Sequence, residues 1–155
     1  MNPDTTILIA EDDDGHAALI EKNLRRAGVE KPCHRLRDGQ EALDYFFGSE
    51  PLSQGKTAHR YLLLLDINLP RINGIEVLRK MKEHEVFKRV PILMLSTTDN
   101  PQEVEACHSF GCNFYLTKPT EPETFAQAII RLGSFLDVVT VPTIRLNSPS
   151  AISLN

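Results

Sequence analysis

Tryptophan is missing from this chain of 155 residues, and only three cysteines occur. Those cysteines, Cys33, Cys107 and Cys112, cannot all pair and none stands in a C-x-x-C clip, so they read as reduced, small apolar side chains rather than as a disulfide frame or a zinc site. No block of lysine and arginine exists, and the formal charge is -4. A nucleic-acid surface depends on neutralising phosphates with a basic patch, so DNA binding is excluded. No apolar stretch approaches the roughly 20 residues needed to span a bilayer. The opening Met1-Asn2-Pro3-Asp4 lacks the basic and apolar regions of a signal peptide. The expectation is a soluble, cytoplasmic protein with no membrane contact. Repeats and low-complexity tracts are also lacking; 41% hydrophobic and 25% charged residues suit one domain with a sizeable core and a short appendage.

What is present is a strict alternation. Residues 5–10 read as a strand, and 14–27 as a helix because Ile20, Leu24 and Ala27 recur at helical spacing before Gly28. Residues 33–37 form a more polar strand suited to a sheet edge, and helix 39–47 carries Ala42, Leu43 and Phe46 on one face. Segment 49–60 is polar and long for a connection, which fits either a functional loop or a tolerated insertion. The unbroken apolar run Tyr61–Leu65 is a buried strand, followed by a helix through Val77, Leu78 and Met81 after Gly74. Strands follow at Ile92–Leu95 and Phe114–Thr117. Asn100-Pro101-Gln102-Glu103 and Thr120-Glu121-Pro122-Glu123 predict capped helices over 101–110 and 121–137, the last with Phe125, Ile129, Leu132 and Leu136 on one face. Five strand-helix units with continuous apolar strands predict an α/β fold: a doubly wound parallel five-stranded sheet in the flavodoxin-like order 2-1-3-4-5.

In such sheets chemistry gathers at the carboxyl ends of the strands. The first strand runs into Glu11-Asp12-Asp13, the third into Asp66, the fourth into Ser96-Thr97 and the fifth into Lys118-Pro119. Acids, a hydroxyl and an ammonium at one edge suit a divalent cation and a phosphoryl group. Crowded carboxylates raise one another's pKa unless a cation or Lys118 balances them. Mg²⁺ fits because it takes few protein oxygens, keeps waters and bridges phosphate. Asp13 reads as an exposed helix-start residue. His16, His34, His59, His84 and His108 show no metal-ligand spacing and read as surface or packing residues.

This ordered set, Glu11-Asp12, Asp66, Ser96 and Lys118-Pro119, each after its strand, resembles the receiver domain of two-component response regulators over residues 5–138. The resemblance implies that Asp66 is the phosphoacceptor and that Mg²⁺ is held by Asp12, Asp66 and the backbone carbonyl of Asn68, with Glu11 acting largely through water. It implies that Ser96 senses the phosphoryl group, that Lys118 pairs with its oxygens, and that the Lys118–Pro119 peptide is cis. Tyr115 matches the family's aromatic switch position and equally suits plain core. Glu11 departs from the aspartate many members carry. A sensor histidine kinase is the implied partner, and the surface of the fourth helix, fifth strand and fifth helix the implied readout.

Residues 139–155 follow as a C-terminal extension. Val138-Val139-Thr140-Val141-Pro142-Thr143-Ile144-Arg145-Leu146 is too apolar for an ordinary frayed end. It resembles the single-domain regulators encoded with bacterial phytochromes, some of which dimerise through such an arm. That implies a homodimer downstream of a bacteriophytochrome; a tail that is folded on its own domain or disordered is the alternative. Two other classes stay open. A phosphorylation-independent docking protein is one, and a small aspartyl phosphatase is the other, although Asp66-Ile67-Asn68 lacks a second acid for that chemistry. A flavodoxin-like cofactor binder is opposed by the acids where a phosphate loop would stand.

Overall fold

The computed structural model describes residues 1–48 and 58–145. In chain order these form β1 (Thr5–Ala10), α1 (Asp14–Arg26), β2 (Cys33–Leu36), α2 (Gly39–Phe47), β3 (Ala58–Leu65), α3 (Gly74–Glu83), a 3-10 turn (Phe87–Arg89), β4 (Ile92–Ser96), α4 (Pro101–Ser109), β5 (Phe114–Thr117), α5 (Pro122–Asp137) and β6 (Ile144–Arg145). The first five strands pair in the order β2-β1-β3-β4-β5, and all four pairings are parallel. This is the flavodoxin-like sheet that the alternation predicts.

Successive side chains of a strand face opposite sides, so each buried strand feeds two cores. Leu8, Ala10, Leu63, Leu65 and Met94 pack with Ala42, Phe46, Val77, Leu78 and Met81 of α2 and α3. Ile7, Ile9, Leu62, Leu64, Leu93 and Leu95 pack with Ile20, Leu24, Phe125 and Ile129 of α1 and α5. That is why the central strands read as unbroken apolar runs.

Four helices begin on a side-chain cap. Asp13 accepts from the His16 amide, Asp38 from Glu41, Asn73 from Glu76 and Asn100 from Gln102. The fifth departs from expectation: the predicted capping box from Thr120 does not form. Pro122 occupies the first helical position, so the cap falls on Glu121, which makes no side-chain cap bond, and Thr120 lies one residue too early.

β3 also starts earlier than the apolar run. Ala58 and His59 pair antiparallel with Arg145 and Ile144 of β6, and the buried His59 ring stacks on Tyr61 at 5.7 Å. Residues 58–60 of the polar segment therefore belong to a strand, while 49–57 lie outside the described residues. The described part of the tail folds on its own chain. Val141 and Ile144 are buried. The Arg60 guanidinium donates to the Val141 carbonyl at 3.1 Å, the Val141 amide to Asn2 Oδ1 at 2.9 Å, and Arg89 to the Thr143 carbonyl at 3.3 Å. Residues 146–155 lie outside the described residues.

Ile144→Ala removes a buried anchor of this strap. It should lower the unfolding free energy by about 2 kcal/mol and the melting midpoint by roughly 6 °C, read by circular dichroism. An unchanged midpoint would mean that the strap is undocked in solution.

Candidate functional site

The parallel register carries four loop starts to one edge. The Asp66 amide donates to the Ala10 carbonyl at 3.1 Å, which sets Asp66 beside Glu11. The Lys118 amide donates to the Ser96 carbonyl, which sets Lys118 beside the end of β4. Behind Asp66 the chain has no room: a Cβ at Gly74 would stand 2.0 Å from the Asp66 carbonyl oxygen, so only glycine lets α3 begin against that backbone.

The side chains then converge. The Lys118 ammonium donates to Glu11 Oε1 and to Asp66 Oδ2 at 3.1 Å, and lies 3.3 Å from His16 Nδ1. Glu11, Asp66, Ser96 and Lys118 are all buried, whereas Asp12 and Asn68 are exposed. Glu11, Asp12 and Asp66 each bring a carboxylate oxygen within 4.8 Å of the others. Burial raises the Glu11 pKa above its ordinary value; Lys118 opposes this and Asp66 adds to it. An all-oxygen set of three acids, only partly balanced by one ammonium, fits a hard divalent cation such as Mg²⁺.

Around this centre, Asp66 Oδ1 accepts from the Asn68 amide at 3.2 Å. Ser96 Oγ accepts from the Thr98 amide at 3.4 Å. The Tyr115 hydroxyl donates to the Thr98 carbonyl at 2.7 Å, and its ring is partly buried on β5. Asp13 caps α1, as its helix-start reading predicts; the His16 amide holds its carboxyl below the usual range.

One expectation fails. Among the described residues no peptide bond is cis, so Lys118–Pro119 is trans, the isomer that X–Pro bonds favour by about 0.5–1 kcal/mol, and the ammonium reaches both acids from it.

Two side chains near the acids escape sequence reasoning. His16 is not merely a surface or packing residue: it touches Lys118, lies 3.4 Å from Glu11 Oε1 and stacks on Phe125 of α5 at 5.6 Å. Its place in the first turn of α1, directly after the acids that end β1, is the signal that could have found it. Arg35 of β2 donates to the backbone carbonyls of Glu11 and Asp12, both at 3.0 Å. Nothing in the sequence marks it beyond a cation on a polar edge strand.

A 2-1-3-4-5 parallel sheet that brings this acid, hydroxyl and lysine set to one edge defines the receiver class of signalling domain. Residues 7–130 match the response regulator receiver domain family, and the chain belongs to that family of two-component signalling proteins. It is similar to the response regulator Rcp1 of Synechocystis, at 31% identity over 91% of this chain and 95% of the relative. The Mn²⁺-bound form of Rcp1 superimposes with a TM-score of 0.78 at 30% identity, covering 88% of this chain and 98% of the other. A receiver domain from Rhodospirillum rubrum is similar at 44% identity with a TM-score of 0.84, covering 91% and 99%. The phosphorylated cyanobacterial phytochrome response regulator RcpA follows at 30% and 0.80, covering 88% and 97%.

The raised Glu11 pKa has a pH signature. Between the ordinary value of 4.5 and the raised one, the folded metal-free protein holds this proton more tightly than the unfolded chain. Stability therefore falls as pH rises through that window. Glu11→Gln abolishes the contribution, so the stability of the variant minus that of wild type should grow from about pH 4.5 and level off above the raised pKa. Denaturant titrations in chelator measure it; a pH-independent difference would refute it.

Proposed function

We propose that this protein is a stand-alone response regulator that accepts a phosphoryl group on Asp66 from a phosphohistidine of a sensor histidine kinase. The supporting observation is the convergence of Glu11, Asp66 and Lys118 at one buried edge, with Asp12 within ligand reach. Glu11, Asp12, Asp66 and the backbone carbonyl of Asn68 would hold Mg²⁺, which when bound supplies charge neutralisation to the transferring oxygens. The Mn²⁺-bound form of the relative Rcp1 supports this choice of ion class.

The Asp66 carboxylate attacks phosphorus in line. The phosphorus–nitrogen bond breaks with its electron pair left on the imidazole, and an acyl phosphate forms. Lys118 turns from Asp66 to the phosphoryl oxygens and balances their charge. Water later cleaves the acyl phosphate, with Asn68 and Thr98 flanking its path. The protein thus catalyses only its own phosphorylation and dephosphorylation. Ser96 moves toward a phosphoryl oxygen, and Tyr115 takes up the vacated space, altering the α4-β5-α5 surface.

That surface carries an exposed aromatic pair, Phe114 and Phe135, packed edge to face at 5.8 Å. We assign it as the face on which two copies of the receiver, residues 5–138, associate, with the 139–155 extension contributing an arm beyond its own strap. RcpA is described as a cyanobacterial phytochrome response regulator, and the similar structures RtBRR and AtBRR as bacteriophytochrome response regulators, which favours a bacteriophytochrome as the kinase.

Incubation with Mg²⁺ and a small acyl or amidophosphate donor tests this reading by intact mass and size-exclusion light scattering. Wild type should gain one phosphoryl group, chelator and Asp66→Asn should prevent it, and Lys118→Ala should slow it by orders of magnitude. Phe114→Glu should leave a monomer where wild type runs as a dimer. An adduct that persists in Asp66→Asn removes the central claim.

A further inference from the structure

β1 ends its pairing with β2 where the Glu11 amide donates to the Leu36 carbonyl at 3.0 Å. Beyond this rung the chain leaves the sheet through Asp12 and Asp13 before α1 begins, so the strand ladder holds the Glu11 amide but neither the Glu11 nor the Asp12 carbonyl. Arg35, paired with Ile9 across the strands, reaches over that gap. Its Nε donates to the Glu11 carbonyl and its Nη2 to the Asp12 carbonyl, both at 3.0 Å. Its Nη1 donates to Asp14 Oδ1, the oxygen that also accepts from Arg37 at 3.0 Å. The Arg35 side chain is only 21% exposed. One planar fork thus holds two consecutive carbonyls and a carboxylate on the first residue of α1.

We infer that Arg35 is a positioning residue for the cation site: it fixes the Glu11–Asp12 backbone so that both carboxylates converge on Asp66. The inference rests on the proposed Mg²⁺ site and adds a residue that touches neither ion nor phosphate. Its sign is diagnostic. A cation near the acids opposes the binding of a divalent ion by Coulomb repulsion, so if Arg35 acted through charge, neutralising it would tighten binding. If it acts by holding the backbone, neutralising it weakens binding. Lysine keeps the charge but lacks the fork that spans three acceptors.

Mn²⁺ alone is the probe, titrated calorimetrically into wild type, Asp12→Asn, Arg35→Gln and Arg35→Lys, with metal-free melting curves and amide exchange alongside. Both Arg35 variants should bind Mn²⁺ about tenfold more weakly, the low end for the outer partners of a metal site. They should melt cooperatively, with faster exchange confined to the β1–α1 loop. Equal or tighter binding in Arg35→Gln, or wild-type binding in Arg35→Lys, overturns the inference. Absence of Mn²⁺ binding in wild type, or binding undiminished in Asp12→Asn, overturns the cation site itself and the inference with it. Should Arg35→Gln melt without cooperativity, Asp14→Ala takes its place: it leaves the guanidinium but removes the oxygen that tethers it, and unchanged Mn²⁺ affinity there also refutes the role.

Discussion

At the carboxyl edge of the sheet the ammonium of a lysine that follows β5 lies between a glutamate that follows β1 and an aspartate that follows β3, all three nearly out of reach of water. Removing ions from water costs several kcal/mol each, and the attraction between them offsets this only when geometry and hydrogen bonding are good. The rest of the fold serves that geometry. Parallel pairing sets Ala10 against Leu65 and Ser96 against Thr117, so three strands deliver their next residues to one place. Gly74 lets α3 start flush against the Asp66 backbone, and two apolar layers keep the strands in register from both sides. With two acids against one ammonium and a third acid at the rim, the cluster stays short of positive charge, which is the condition that attracts a divalent cation.

The opposite edge of the sheet is closed by different means. Arg60 pairs with Asp4 and holds the Val141 carbonyl, Asn2 holds the Val141 amide, and β6 lies on the start of β3. The tail thereby lies at the amino end of β3, while the acid and lysine cluster occupies the carboxyl ends of the strands. The exposed aromatic pair on β5 and α5 stands apart from both, on the lateral edge of the sheet. In the proposed reading, a change at Asp66 reaches that pair through Ser96, Thr98 and Tyr115. The Tyr115 hydroxyl already holds the Thr98 carbonyl.

Much of this was legible beforehand. Five strands, their order and the caps at Asn100 and Pro101 follow from apolar runs and cap chemistry, which act over a few residues. Asp66, Glu11, Asp12, Ser96 and Lys118 stood out because each follows an apolar strand, a rule that needs only the strand ends. The failures have equally local causes. Thr120 lost its cap to the preference of Pro122 for the first helical position. Ala58 and His59 looked like loop because their strand partner lies more than eighty residues away, beyond the reach of any window.

The sequence by itself determined the sheet, the set of acids, hydroxyl and lysine, and the family those residues define, because apolar periodicity and strand-end chemistry are written in consecutive residues. Only the tertiary structure decided that His16 shares the lysine, that Arg35 clasps the acid loop, that the tail straps its own chain and that Lys118–Pro119 is trans. Those features depend on side chains from distant elements meeting in space, and no local propensity encodes such a meeting.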